Sequence, residues 1–61
     1  MDALTGKSAK VITAIPQGGY GYVKINGDEW RSVSEDGSAI PEGTTVIVLK
    51  RDSIILTVKT K

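Results

Sequence analysis

The sequence predicts an all-β fold: a small five-stranded OB-fold-like barrel with no substantial helix. Three observations predict it. Short runs of alternating apolar and polar residues recur along the chain, with turn formers between them. An Asn26-Gly27 pair joins two of those runs and favours the positive φ angles of a tight hairpin. The chain has only 61 residues and no cysteine, so it is one domain at most and carries no disulfide staple. A sheet closed on itself, with few open edges, is the economical way to stabilise so short a chain.

The first strand is read over residues 7–15. Ala9, Val11, Thr13 and Ile15 alternate there with Lys10, Ile12 and Ala14. Pro16 and Gly18-Gly19 stop it, because proline cannot donate to a ladder and glycine favours turns. The second strand covers 19–25, with Gly21, Val23 and Ile25 on one face and Tyr20, Tyr22 and Lys24 on the other. Gly21 suits a tight bend where a barrel curls. Asn26-Gly27 turns the chain into a third strand over 29–34, antiparallel to the second. Trp30 and Val33 fall on opposite faces of a regular strand, so either a bulge intervenes or one of them is partly exposed.

Residues 34–43 are polar and rich in turn formers, and read as a connecting loop with Ile40 as its buried anchor. An OB-fold usually carries a helix at this point. This loop is too short and too rich in Gly and Pro for one, so the barrel is a minimal version, with an SH3-like barrel as the main competitor. The fourth strand covers 44–50, Arg51-Asp52-Ser53 form a turn, and the fifth strand covers 54–59. No helical period, heptad or internal repeat is present.

Composition narrows the function. The formal net charge is +1, with eight Lys and Arg against seven Asp and Glu, unlike the strongly basic character of most nucleic-acid-binding domains. Without His or Cys, a zinc site of the usual kind and a Ser-His-Asp triad are excluded. A Ser-Lys dyad is allowed by composition, but nothing points to one. Asp28-Glu29 and Glu35-Asp36 lack the spacing of a metal loop and read as solvated turns. Gly18-Gly19-Tyr20-Gly21 opens no helix and so is no phosphate loop. The expectation is a non-enzymatic domain with no cofactor and no small-molecule substrate. The apolar runs at 46–49 and 54–56 are far too short to span a bilayer, and residues 1–10 lack the apolar region of a signal peptide.

Two surfaces remain as binding candidates. Both faces of the last two strands are apolar, yet only one face of each can point inward. Ile47, Leu49 and Ile55 are therefore candidates to meet a protein partner. The competing reading is a barrel corner, with both faces covered by the loop and the N-terminal segment. The second candidate surface is Tyr20, Tyr22, Lys24, Trp30 and Arg31, where aromatics interleave with cations as in single-strand nucleic-acid binders. Against it stands the reading that Trp30 is core and the tyrosines cover the barrel wall. The near-neutral charge favours that reading, because non-specific binding is mainly phosphate neutralisation.

The order of motifs resembles a known family. Leu4-Thr5-Gly6-Lys7 leads into the first strand. Ile15-Pro16, Gly21-Tyr22-Val23, Ile25-Asn26-Gly27, Glu29-Trp30 and Ser34 follow. Ile40, Gly43-Thr44, Val46-Ile47-Val48 and Leu56-Thr57-Val58 complete the series. Over nearly the whole chain this looks like the C-terminal soluble domain of NfeD-like membrane proteins. The resemblance implies a single OB-fold domain over 1–61 that follows transmembrane helices in the parent protein. It implies membrane association through spans absent from this chain, which would be an excised domain or a short homologue lying on the cytoplasmic side. It also implies partners among stomatin-, prohibitin- and flotillin-type scaffold proteins, and a link to the regulation of membrane proteases. Some long family members carry a separate serine protease domain. The chain departs from the pattern at Arg31-Ser32, where a small or acidic residue is more usual, and at Arg51-Asp52-Ser53, where a Gly is expected.

Overall fold

A computed structural model describes residues 4–61. Five strands carry the fold: β1 (Ser8–Thr13), β2 (Gly21–Ile25), β3 (Asp28–Ser34), β4 (Thr45–Asp52) and β5 (Ile55–Thr60). They close into a barrel in the order β1-β2-β3-β5-β4, and no described residue is helical. All neighbouring strands are antiparallel except β3 and β5, which run parallel with Arg31 opposite Ile55. This is the OB-fold arrangement that the sequence predicts.

The Asn26-Gly27 turn has the expected geometry. Both residues have positive φ, 51° and 85°, and Ile25 pairs with Asp28 across it. The turn fixes the β2–β3 register, so Val23 lies opposite Trp30 and Gly21 opposite Ser32. At Gly21 the curl brings β1 very close: a Cβ there would lie 2.5 Å from the Thr13 carbonyl oxygen and 2.6 Å from Ile15 Cγ1. Only glycine lets the two strands approach so tightly.

The inner faces build the core. Ala9 and Val11 of β1, Val23 and Ile25 of β2, Val46 and Val48 of β4, and Leu56 and Val58 of β5 are buried. Ser32 is the polar residue among them, and its hydroxyl donates to the Trp30 carbonyl at 3.1 Å. Ile40 closes one end of the barrel from within the 35–44 loop. Its N–H and C=O pair with those of Ile15 at 2.8 Å each, and both side chains are fully buried. A single anchored isoleucine thus plugs the barrel where a larger OB-fold would place a helix.

Several boundaries differ from the sequence reading. A register shift between Val11 and Thr13 ends β1 early and turns Thr13 outward, away from the face it was expected to share with Val11. A second shift, between Val48 and Lys50, lets β4 continue through Arg51 and Asp52, which pair with Leu56 and Ile55. The final turn is therefore Ser53-Ile54, not Arg51-Asp52-Ser53, and Ile54 is the exposed tip of a hairpin instead of the first residue of β5. Ser53 has φ 60°, the region where the expected glycine would be at ease. β3 is regular throughout: Trp30 sits on the inner face and packs partly buried against the core, while Val33 lies half-buried on the outer wall.

Candidate partner-binding surface

Outward residues follow from the register. On β5 the buried Leu56 and Val58 alternate with Ile55, Thr57 and Lys59. On β4 the buried Val46 and Val48 alternate with Ile47, and the bulge then places Leu49 on the outer wall. β3 contributes Val33, which lies opposite Thr57. Ile47, Leu49, Ile55 and Val33 are all half-buried, so the wall is covered in part by its own neighbours. Val33, Leu49 and Thr57, with Ser34, Glu35 and Lys50, line a shallow depression of about 430 Å³ on this wall. The three predicted residues are thus on one side of the barrel, with Leu49 at its apolar centre, Ile47 opposite Lys59 toward one end and Ile55 opposite Arg31 toward the other.

The aromatic candidates divide. Tyr22 and Arg31 pair across β2 and β3 on the outer face, and the Arg31 guanidinium lies 5.5 Å from the centre of the Tyr20 ring. Tyr20 itself is 55% exposed. Lys24 is outward too, paired with Lys10 on one side and Glu29 on the other. Trp30 is partly buried, yet it lines one groove with Tyr22 and Arg31. It is on the core side, with the Arg51 guanidinium 5.6 Å from its ring centre. Tyr22, Trp30 and Arg31 thus share one groove, which Tyr20 and Lys24 do not line. Tyr22 and Arg31 also carry the outer face around the barrel, since Arg31 is flanked by Tyr22 on β2 and Ile55 on β5.

Sequence reading missed Ile54. At 65% exposed it is the most exposed large apolar side chain among the described residues. Its signal was the Ser53-Ile54 pair between two β-branched runs, hidden because Arg51-Asp52-Ser53 has stronger turn chemistry. The loop after β3 holds a separate polar cluster. Asp36 Oδ1 accepts from Ser38 Oγ at 2.7 Å, Ser34 Oγ at 2.8 Å and the Ser38 N–H at 3.0 Å. The Ser38 bonds, then that from Ser34, stabilise the charged form and lower the Asp36 pKa from the ordinary 3.8 to about 2. The geometry is that of a self-satisfied turn. Among the described residues no group of three His, Cys, Asp or Glu could hold a metal ion, and no helix is long and apolar enough to cross a membrane.

The family model for the NfeD-like C-terminal, partner-binding domain matches residues 1–59. The chain belongs to the NfeD-like family. It is 41% identical, over 93% of its length, to the membrane protein NfeD2 of Bacillus subtilis, of which it spans about a third (35%). The soluble domain of the NfeD protein YuaF, also from Bacillus subtilis, superposes with a TM-score of 0.87 at 40% identity, covering 97% of this chain and 75% of that one. A soluble domain from Corynebacterium glutamicum, belonging to a membrane protein implicated in regulation of membrane protease activity, gives 0.86 at 28% identity, covering 97% and 95%. The C-terminal domain of stomatin operon partner protein 1510-C from Pyrococcus horikoshii shares the fold, with a TM-score of 0.87 at 24% identity over 95% of this chain and 88% of that one. The family model describes a partner-binding domain, and two of the solved relatives are soluble domains, one of them from a membrane protein.

Proposed function

We propose that residues 1–61 act as a single non-catalytic docking domain at a membrane, on its cytoplasmic side, and bind a stomatin-, prohibitin- or flotillin-type scaffold protein. In this reading the domain contributes to control of a membrane protease by holding that scaffold, with no bond-making step of its own. Support comes from the partner-binding description of the family and from two relatives, one named for a stomatin operon and one for membrane protease regulation.

The observation that carries the reading is the outer wall. Leu49, Val33, Ile47 and Ile55 add a second apolar layer to a barrel whose core is already filled from the inner faces. A barrel of this size needs no apolar residues there for its own packing, and such a patch suits protein association. The near-neutral charge favours protein over nucleic acid.

The test is capture from detergent-solubilised membranes by the immobilised domain, read by mass spectrometry. Wild-type protein is expected to recover a scaffold of the stomatin class. Ile47→Asp and Ile55→Asp variants that keep a folded barrel are expected to lose it. Full recovery by both variants would place the contact elsewhere on the barrel. Recovery of nucleic-acid-associated proteins, lost on nuclease treatment, would favour the stacking alternative.

A further inference from the structure

The barrel is closed, but β3 begins before its ladder with β5 does. Parallel pairing starts at Arg31 opposite Ile55. Residues 28–30 therefore have β2 on one side and no strand on the other. The direction of their main-chain groups follows from the alternation along a strand. Just beyond β3, the Glu35 N–H donates to the Val58 carbonyl of β5 at 2.9 Å. Two, four and six residues earlier, Val33, Arg31 and Glu29 aim their N–H and C=O the same way. At Glu29 no strand stands opposite.

A groove of about 430 Å³ runs along this edge, between the β2–β3 hairpin and the β4–β5 tip. It is lined by Tyr22, Asp28, Glu29, Trp30, Arg31 and Ile54. Residues of both faces of β3 line it because it lies along the strand's edge. Its apolar walls are the Trp30 and Tyr22 rings and the exposed Ile54. Its charge is set by position. Two carboxylates, Asp28 and Glu29, stand exposed at the open edge against one lining cation, Arg31, which also stacks on Tyr20, while Arg51 lies over Trp30. Carboxylates on an edge repel a second copy of the same edge and spare it from self-pairing. The same carboxylates attract an incoming strand that carries a cation. OB barrels in general take ligands on the face of their second and third strands and beside the loop between the fourth and fifth, where this groove lies.

We propose that this groove binds an extended segment of the partner protein by strand addition. The segment pairs its main chain with Glu29, sets an apolar side chain between Trp30 and Ile54, and places a Lys or Arg beside Asp28 and Glu29. Main-chain bonds then supply affinity and the alternate side chains supply selectivity. The inference rests on the protein-docking reading above and adds to it the chemistry of the bound segment.

The experiment is a selection of displayed random octapeptides on the folded domain, followed by titration of the best peptide into the ¹⁵N-labelled protein. Enriched peptides are expected to alternate β-branched residues with Lys or Arg, and to shift the amides of Glu29, Trp30 and Ile54 and the Trp30 indole. Glu29→Lys is expected to weaken that peptide by about tenfold or more, and raised salt should weaken binding to the wild-type domain while relieving part of the loss in the variant. Methylating the peptide amide opposite Glu29 should abolish binding. Selection of nothing, enrichment without basic residues, or shifts centred on Leu49 and Val33 would each overturn the groove. Its failure is separable from failure of the docking reading. A scaffold protein still captured by Glu29→Lys and Ile54→Asp domains but lost by Ile47→Asp sinks the groove alone, whereas no capture by wild type sinks the docking reading.

Discussion

Gly21→Ala tests the barrel's tightest point. The new Cβ would lie 2.5 Å from the Thr13 carbonyl oxygen, 2.7 Å from the Ala14 carbonyl oxygen and 2.6 Å from Ile15 Cγ1. Two of these atoms are main chain, so β1 itself must move, and Ile15 cannot rotate away because it is buried against Ile40. Inserting a methyl group into packing this tight costs about 1–3 kcal/mol. The lower entropy of the unfolded alanine chain returns about 0.4–1 kcal/mol. Moving β1 also loosens the Ile15–Ile40 pairing that plugs the barrel, so the net loss is placed at about 2 kcal/mol. A domain of 61 residues has a total of only roughly 3–9 kcal/mol. The midpoint of thermal unfolding should fall by about 10 °C or more. Urea unfolding followed by Trp30 fluorescence gives the free energy directly, since Trp30 is the single tryptophan and packs against the core. A Gly21→Ala variant as stable as wild type would refute the close-approach argument and the β1–β2 register with it.

Other perturbations separate the remaining devices. Ile40→Ala removes the plug and should cost about 2–4 kcal/mol in the same urea assay. Ser53 occupies a left-handed φ that costs a non-glycine residue about 1–2 kcal/mol, so Ser53→Gly should raise stability by about 0.5 kcal/mol after glycine's larger unfolded-state entropy. Asp36 has its folded pKa depressed from 3.8 to about 2, so its contribution to loop order is complete above that ordinary value and is lost as pH falls through the interval. An NMR titration of the Ser38 amide should report the low value, and Ser38→Ala should move it back toward 3.8.

Much of the fold was legible because local chemistry decides it. Asn26-Gly27 allows few conformations other than a tight hairpin, and that hairpin sets the β2–β3 register. Gly21 and Ile40 were each out of character with their surroundings, one a gap in a strand and the other an apolar residue in a polar loop, and both turned out to close the barrel. What escaped was set by distant partners. The register shifts after Val11 and Val48 arise from fitting twisted strands around a small barrel, and period-two alternation carries no mark of them. The shift in β4 carried that strand two residues further, to Asp52, left Ser53-Ile54 as the last turn and so hid Ile54. The outer wall was legible as an excess of apolar residues on two-sided strands. Its grouping was not, because the parallel pairing of β3 with β5 is what sets Val33 beside Thr57 and Arg31 beside Ile55. For Trp30 the sequence left two readings, stacking beside the tyrosines or core; the hairpin register puts it across from Val23 on the core side, from where it still lines a groove with Tyr22.

The central claim is that a scaffold partner docks on the outer wall. The most direct test is the affinity of a purified stomatin-type protein for the wild-type domain, for Leu49→Asp, and for Glu42→Lys in the exposed loop as a control. A charge at the centre of an apolar contact should weaken binding by about tenfold or more, while the control keeps wild-type affinity. Equal affinity for wild type and a folded Leu49→Asp domain would contradict the account.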